Sequence, residues 1–379
     1  AKCSDCHGSH NILPVTNLAS KLRRNNIVET CKKCHPNSNR KFAGYLTHAT
    51  HHNRIKYPIL FYTFWAMTLL VIAVFAFFGL HTLMWIPRSV RERKRLKDTL
   101  APTPQAYMVR FKLFPRILHF MVIISFFGLA FTGMSLKFSG YEWAYKLVQF
   151  FGGVQAAGFI HRLCAIITFL YFGLHFMLIY RNAKKEHTPL LQYMFSPESL
   201  VPNKQDLLEF WQTIKWFWGK GEQPRYGRWT YWEKFDYFAV FWGVAIIGST
   251  GLILWFPEFF TKLLPGWAIN VATIIHSDEA LLATGFIFTI HFFNTHFRPQ
   301  KFPMDPVIFT GKVPLDEWQH ERPREYEQLQ EQGRLEEHLE RTPPPSWLTR
   351  SARIFGMTAL VLGFGLVILI LWAMVFLYR

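Results

Sequence analysis

Six long apolar stretches constrain the fold of this chain more than any other feature. About 20 apolar residues let an α-helix cross the hydrocarbon core of a bilayer, and a helix satisfies all its backbone hydrogen bonds within the segment. The sequence therefore predicts an all-α integral membrane protein with six transmembrane helices. They cover roughly residues 58–86, 115–136, 159–180, 235–256, 270–296 and 352–378.

The positive charge of the chain is concentrated in the connections between these stretches. The 379 residues are 50% hydrophobic and carry a formal net charge of +17, a balance too apolar for a nucleic-acid-binding protein, so we expect a lipid bilayer and no nucleic acid as partner. Basic runs follow the first, third and fifth stretches, as "PRSVRERKRLK", "RNAKKEH" and "HFRPQKF". The positive-inside rule assigns them to the cytoplasm of a bacterial-type inner membrane, which leaves the N-terminal segment periplasmic or otherwise extracytoplasmic.

That N-terminal segment contains two Cys-x-x-Cys-His motifs: Cys3, Cys6 and His7, then Cys31, Cys34 and His35. The spacing is typical of covalently attached haem c, because the two thiols bond the haem vinyl carbons and the histidine ligates the iron. Haem attachment occurs outside the cytoplasm, in agreement with the topology above. A zinc ribbon with four cysteine ligands is the alternative, although it does not need a histidine after each cysteine pair.

Each c-type haem needs a second axial ligand, and the distal candidates are His10, His48, His51 and His52. His10 is three residues from His7, which is already fixed to its own haem, so we expect His10 to serve the neighbouring haem. One of the other three histidines then serves the remaining iron. The alternative for each is a solvated loop residue. We also expect an export segment before residue 1, where further haem motifs could lie.

Histidines inside the apolar stretches form pairs with a repeated spacing. His161 and His175 would lie about 21 Å apart along one helix and about 40° apart around it, while His276 and His291 are separated by 15 residues and about 60°. Two ligands on one helix face, near opposite membrane surfaces, suit two b-type haems stacked across the bilayer. The alternative for an isolated membrane histidine is a hydrogen bond between helices.

Four stretches resemble a known family of membrane cytochromes. "RILHFMVIISFFGLAFTGMSL", "GFIHRLCAI", "GSTGLILWFPEF" and "IIHSDEALLATGFIFTIHFF" are similar to the helices of the formate dehydrogenase gamma subunit, whose relatives include the cytochrome b subunits of nickel-iron hydrogenase and thiosulfate reductase. The resemblance covers about 110–312 and implies a four-helix core with two b-type haems and a quinone site near the cytoplasmic-side haem. It implies His161 and His276 as ligands of the outer haem, and His119 and His291 as ligands of the inner one.

Either His119 or His175 could share the inner haem with His291. His175 and His291 lie six and seven residues before the next arginine, whereas His119 lies only three residues past one. Depth therefore favours His175, and the resemblance favours His119, which we take as the ligand. His81 lies at the same inner level. It is a hydrogen-bonding residue between helices, a ligand of a further haem or, like whichever of His119 and His175 is not a ligand, a residue near the quinone.

The domain organisation follows from these assignments. Residues 182–233 include the Trp-rich "FWQTIKWFWGKG", which favours a helix at the membrane interface, and "RPREYEQLQEQGRLEEHLER" favours a short amphipathic helix. We expect a loop-rich c-type haem domain at 1–57, truncated at its N-terminus, a first membrane helix at 58–86, a cytochrome b core at 110–297 with a cytoplasmic connection at 182–233, a cytoplasmic segment at 298–350 and a last membrane helix at 351–379.

The sequence shows no Gly-rich nucleotide loop and no catalytic triad. It predicts a cytochrome that exchanges electrons between the quinone pool and periplasmic multihaem cytochromes or oxidoreductase subunits, through two b-type and at least two c-type haems. The enzymatic interpretation is a subunit of a quinol/quinone oxidoreductase. The alternative is a non-catalytic, haem-bearing anchor of a larger complex. A zinc-stabilised receptor or transporter leaves the paired histidines unexplained.

Overall fold

The computed structural model describes residues 2–97, 104–196 and 199–376. The protein is an all-α integral membrane protein, as the sequence predicts. Six helices are long and apolar enough to span a bilayer, and each predicted stretch falls on one of them, although residues 377 and 378 of the last prediction lie outside the described part. These helices are Pro58–Lys94, Leu113–Lys137, Val154–Lys185, Tyr231–Trp255, Trp267–Phe297 and Ser346–Phe376.

Short helices and three short strands connect the spans. The α-helices are α1 (Cys3–His7), α2 (Ile27–Lys32), α3 (Pro58–Lys97), α4 (Leu113–Lys137), α5 (Glu142–Phe150), α6 (Val154–Lys185), α7 (Leu190–Met194), α8 (Lys204–Phe217), α9 (Tyr231–Trp255), α10 (Pro257–Phe260), α11 (Trp267–Phe286), α12 (Val307–Thr310), α13 (Leu315–Glu321), α14 (Pro323–Glu331) and α15 (Ser346–Phe376). The strands are β1 (Tyr107–Val109), β2 (Lys312–Pro314) and β3 (Leu339–Glu340), and 3-10 turns cover Phe42–Gly44 and Leu335–His338.

The fifth span does not remain α-helical to its end. After α11, it continues as two π-helical segments, Ile287–His291 and Phe293–Phe297. A π-helical turn has i→i+5 hydrogen bonds and contains more residues than an α-helical turn. The rotation of about 60° expected between His276 and His291 assumes a regular α-helix, so it does not describe this span.

The chain divides into two compact units. One consists of Ala1–Ile72 and Ala245–Ala280, and the other of Ala73–Val244 and Leu281–Arg379. The first unit contains both Cys-x-x-Cys-His motifs together with the connection between α9 and α11. The cysteines of these motifs are free thiols.

In the second unit, α4 packs against α6 through small residues. Cys164 of α6 is buried, and its Sγ occupies the space that a side chain at Gly128 of α4 would need. Cys164 is therefore part of the packed contact between the two helices. Helix α15 packs against the first π-helical segment in the same manner, because Gly363 admits the ring of Phe288.

A small antiparallel sheet in the second unit was not predicted from the sequence. Strand β1 lies between β2 and β3, with Met108 opposite Val313. A compact apolar cluster forms around these residues with Trp318 and Leu329. The predicted amphipathic helix is confirmed but shorter, as α14, which starts at a proline. The predicted Trp-rich helix is α8, whose N-terminus is capped by the side chain of Asn203.

Candidate functional site

His161 of α6 is held by a threonine of the neighbouring helix α4. Its Nδ1 lies 2.9 Å from the hydroxyl oxygen of Thr132, and that hydroxyl lies 2.5 Å from the carbonyl oxygen of Gly128, one turn earlier. The threonine hydrogen is thus donated to the carbonyl, so the threonine oxygen accepts from Nδ1–H of the histidine. In a neutral imidazole, the other nitrogen is then unprotonated. Ligation of iron by His161 would use Nε2.

The same arrangement recurs at His276 of α11. Its Nδ1 lies 3.0 Å from the carbonyl oxygen of Ile247 and 3.3 Å from the hydroxyl of Thr250, both on α9. A carbonyl oxygen can only accept, so Nδ1 of His276 is also the donor. Each threonine is followed by a glycine that faces the ring: a Cβ on Gly133 would lie 3.3 Å from Cε1 of His161, and a Cβ on Gly251 would lie 3.0 Å from Cε1 of His276.

His291, in the first π-helical segment, is bonded to a carboxylate. Its Nδ1 lies 2.9 Å from Oδ2 of Asp236 on α9. Because an ionised carboxylate only accepts, Nδ1–H is the donor here as well, and Nε2 is again the nitrogen suited to a metal. His291 and His119 are close enough for their charges to interact. Nδ1 of His119 is buried and, within the described part of the chain, has no hydrogen-bond partner.

His81 and His175 are engaged differently, through Nε2. His175 of α6 bonds the hydroxyl of Tyr237 on α9 at 2.7 Å, and His81 of α3 bonds the hydroxyl of Tyr231 at 2.6 Å. Both contacts are hydrogen bonds between helices. Iron ligation by Nε2 of either histidine would require breaking its tyrosine contact.

Aromatic rings and one arginine surround His81. The imidazole lies 5.7 Å from the ring of Trp85. The guanidinium of Arg298 lies over both Trp85 and Trp232, at 4.4 and 4.2 Å from the ring centroids. Burial lowers the pKa of Arg298, while nearby Tyr226 and acidic groups oppose this effect. The site thus combines a titratable imidazole, a phenol and a cation stabilised by two π-systems.

In the N-terminal segment, the first Cys-x-x-Cys-His motif forms α1, and its histidine faces a distal candidate. The rings of His7 and His48 have centroids 6.1 Å apart and planes inclined by 30°. The two imidazoles are near enough to each other that both could hold the iron of a haem attached at Cys3 and Cys6. His10, by contrast, is exposed.

The remaining distal candidates are packed elsewhere in this unit. The ring of His51 stacks on Phe64 at 3.9 Å and lies 4.1 Å from the ring of His52.

A zinc ribbon needs four converging ligands. Across residues 2–97, 104–196 and 199–376, no group of three or more His, Cys, Asp or Glu side chains has metal-binding geometry. Burial, with a contribution from nearby Cys6, raises the pKa of the Cys31 thiol.

The second motif lies against the connection that follows α9. Nδ1 of His35 is 2.9 Å from Oε1 of Glu258 at the start of α10. The hydrogen bond from His35 lowers the pKa of Glu258. The ring of Phe42 packs 4.8 Å from the same imidazole. His35 is thus a fourth histidine whose Nδ1 donates to an acceptor and whose Nε2 has the tautomeric form of a metal ligand.

The acceptors of these four histidines were not identified from the sequence. The repeated "TG" in "FTGM" and "STGL" marks Thr132 and Thr250, and each pair precedes a histidine on the next span. Asp236 is a carboxylate within an apolar span, which is costly enough to indicate a specific partner. Glu258 lies three residues after the end of the fourth span, and nothing in the sequence around it indicates a partner.

Part of the chain is similar to cytochrome b556 subunits of formate dehydrogenases. The cytochrome b556 subunit of the nitrate-inducible formate dehydrogenase of Escherichia coli strain K12 is 24% identical over 178 residues, covering 46% of this chain and 71% of that subunit. The formate dehydrogenase cytochrome b556 subunit of Haemophilus influenzae is 25% identical over 193 residues, covering 48% and 69% respectively. The chain is a distant homologue of formate dehydrogenase cytochrome b subunits. No family model matches the sequence.

The similarity to these cytochrome b subunits supports a membrane electron-transfer or anchor role for the chain, with haem b as the implied cofactor. The histidines described above fit that cofactor: His161, His276 and His291 each donate through Nδ1, and His119 presents a buried ring nitrogen that lacks a described protein partner.

Proposed function

We propose that this protein exchanges electrons between the membrane quinone pool and periplasmic redox partners through two b-type and at least two c-type haems. The observation that carries the proposal is a division among the histidines. His161, His276 and His291 donate hydrogen bonds through Nδ1, as does His35, so each has the tautomer of an iron ligand. The haems supply the redox chemistry, and the protein fixes their positions and potentials.

The ligand assignment that we favour is residue-specific. His119 and His291 serve the inner b-type haem, because they lie close together and because Nε2 of His175 already bonds Tyr237. His161 and His276 serve the outer b-type haem, as the family resemblance implies. His7 and His35 are the proximal ligands of the two c-type haems, and His48 is the distal ligand opposite His7.

The quinone site that we propose lies on the cytoplasmic side, near His81. Quinol releases two protons as it gives up two electrons, so a titratable group beside the ring is useful, and histidine has an unperturbed pKa near 6.5. The hydrogen-bonded pair of His81 and Tyr231 supplies such a group, with Arg298 nearby. His175, hydrogen-bonded to Tyr237, is the second residue of this inner level.

The orientation follows from charge and from haem chemistry. Basic connections face the cytoplasm of a bacterial-type inner membrane, and the Cys-x-x-Cys-His segment faces the periplasm, where haem is attached covalently. The periplasmic partners are multihaem cytochromes or other oxidoreductase subunits. Any conversion of a soluble substrate then belongs to such a partner.

The decisive experiment is a pyridine haemochrome spectrum of the purified chain, combined with acid-acetone extraction. We expect two b-type haems, which the solvent extracts, and at least two c-type haems, which remain bound through thioether bonds. A preparation that contains zinc and no covalent haem would overturn the N-terminal assignment. A preparation without b-type haem would overturn the role of the membrane histidines.

A second candidate function is a non-catalytic, haem-bearing anchor, because the homologues are subunits of formate dehydrogenases. Reduction of the purified protein by a quinol analogue distinguishes the two functions. A quinol oxidoreductase subunit shows rapid reduction of its b-type haems, which slows when His81 is replaced by Leu while the haem content is unchanged. If the H81L and H175L variants both keep their haems and the wild-type rate, neither histidine serves the quinone. Wild-type protein that the analogue does not reduce supports the anchor.

A further inference from the structure

The segment that follows the second Cys-x-x-Cys-His motif is fixed to the connection between α9 and α11. The side-chain amide of Asn270 accepts from the backbone N–H of Leu46 and donates to its carbonyl oxygen, both at 3.0 Å. Nζ of Lys41 donates to the carbonyl oxygens of Lys262 and Leu263 at 3.2 Å. Each of these hydrogen bonds joins a side chain of one segment to a backbone atom of the other. They therefore fix how the two segments are aligned.

The closest approach in this contact requires a glycine. A Cβ placed on Gly266 would overlap the carbonyl oxygen of Lys41 and the backbone of Gly44 and Tyr45. Only a residue without a side chain lets the two backbones meet there. The contact is therefore a built interface within this unit, and His35 lies at one end of it.

Glu258 meets His35 at that end. The side chains of Glu258 and His35 are 25% and 45% exposed, so the 2.9 Å hydrogen bond is partly shielded from water. One turn further, Nδ2 of Asn39 lies 3.4 Å from the hydroxyl of Thr261. The carboxylate is thus held on the imidazole by the packing of the surrounding segments.

We propose that Glu258 is a positioning residue that fixes the ring of His35 and lowers the reduction potential of the c-type haem attached at Cys31 and Cys34. The inference rests on the function proposed above. A carboxylate that accepts from Nδ1–H increases the basicity of the imidazole and its donation to the iron. Reduction adds one electron and removes one positive charge from the iron, so a nearby negative charge favours the ferric form.

The carboxylate distinguishes the two c-type haems. In the part of the chain that the structure describes, His7 has no carboxylate partner, and its ring faces His48. The charge of Glu258 therefore lowers the potential of the haem at Cys31 and Cys34 and leaves that of the haem at Cys3 and Cys6 unchanged.

The test compares the wild-type protein with the Glu258→Gln variant by redox titration of the c-type α-band. Gln keeps the size and an acceptor oxygen but removes the charge. We expect the reduction potential of one c-type component to rise by about 59 mV, which corresponds to a change of about tenfold in its one-electron reduction equilibrium. The potential of the other component should be unchanged. The ferric low-spin EPR signal of the haem whose potential rises should shift as well. Glu142→Gln is the matched control, because Glu142 is exposed and pairs only with Lys146.

A conservative variant separates charge from packing. Glu258→Asp keeps the negative charge, so its potential should lie closer to wild type than that of Glu258→Gln, even if the shorter side chain lowers the haem content of both. Unchanged potentials and EPR signals in Glu258→Gln overturn the role of Glu258 while the proposed function stands. A wild-type protein without covalent haem overturns the proposed function instead, and this inference with it.

Discussion

The carboxylate of Asp236 and the imidazole of His291 lie 2.9 Å apart, with Nδ1 of the histidine as the donor. This pair sets the inner b-type haem apart from the outer one, whose proposed ligands bond neutral oxygens of Thr132, Thr250 and Ile247. A negative charge hydrogen-bonded to the histidine ligand stabilises the ferric iron. The protein thus has different means of setting the two potentials.

We expect Asp236→Asn to raise the potential of one b-type haem without removing it. The amide still accepts a hydrogen bond but carries no charge, and a change of about tenfold in the reduction equilibrium, about 59 mV, is the scale of such an effect. Redox titration of the b-type α-band measures it. Glu142→Gln is the control, because Glu142 is exposed and pairs with Lys146 on the surface. A haem that is lost, or equal shifts in both variants, would contradict this role.

Replacing His119 should remove one low-spin b-type haem, and replacing His175 should not. His119 lies close to His291 and has a buried Nδ1 without a described partner, whereas His175 bonds Tyr237. The haem content of His119→Leu and His175→Leu, measured by pyridine haemochrome, decides the matter. Tyr237→Phe is the control for loss of that bond alone. If His175→Leu loses the haem and His119→Leu keeps it, the ligand role passes to His175.

The effect of replacing the glycine beside each threonine should depend on its distance from the imidazole. A Cβ on Gly251 would lie 3.0 Å from Cε1 of His276, closer than the 3.3 Å between a Cβ on Gly133 and Cε1 of His161. We therefore expect Gly251→Ala to disturb the b-type spectrum and haem content more than Gly133→Ala. Gly243→Ala, also on α9, has open space around its Cβ and should stabilise the helix by up to about 1 kcal/mol. Equal effects at all three positions would show that ring crowding is not the cause.

Lys301 should be a strong determinant of stability. Its ammonium pairs with Asp305 at 3.2 Å, with Glu321 at 3.0 Å and with Glu317. Lys301→Met leaves three partly buried carboxylates close together without a counter-charge, at a cost of about 1.5–3 kcal/mol, and should lower the thermal unfolding midpoint. Lys146→Met, which breaks an exposed pair with Glu142, should change the midpoint little, because solvent screens that pair. Similar midpoints for the two variants would refute the contribution of Lys301.

The pH dependence of this cluster has a defined sign. Burial alone lowers the pKa of Lys301, but its carboxylate partners outweigh burial and raise the pKa well above the ordinary value. A group whose pKa is raised on folding stabilises the folded state at all pH values below its unfolded pKa, and the contribution disappears as the pH rises through the folded value. The difference between wild type and Lys301→Met should therefore be complete at neutral pH, diminish in strong alkali, and diminish also in acid, where the carboxylate partners become protonated.

The membrane spans could be predicted because a bilayer imposes a length and a composition on every helix that crosses it. The partners of the histidines could not be predicted in the same way. Tyr237 lies 62 residues from His175 along the chain, and such contacts depend on how the helices pack. His291 lies in a π-helical segment, where a count at a fixed angle per residue no longer gives the direction of a side chain.

The small sheet was missed for a related reason. Its strands contain two or three residues each and come from distant parts of the chain, so they are too short to show an alternating pattern. The two Cys-x-x-Cys-His motifs, by contrast, are local and need no tertiary contact to be recognised.

The bonding of residues 41–46 to the connection that precedes α11 has a consequence for protein engineering. A chimaera that places a different cytochrome c on these membrane helices, by exchange of residues 1–57 alone, would lose the fit at Gly266 and the bonds of Asn270 to Leu46. The donor's own connection equivalent to residues 257–270 would have to be transplanted with it. The natural cassette for such a graft is discontinuous, and consists of residues 1–57 together with residues 257–270.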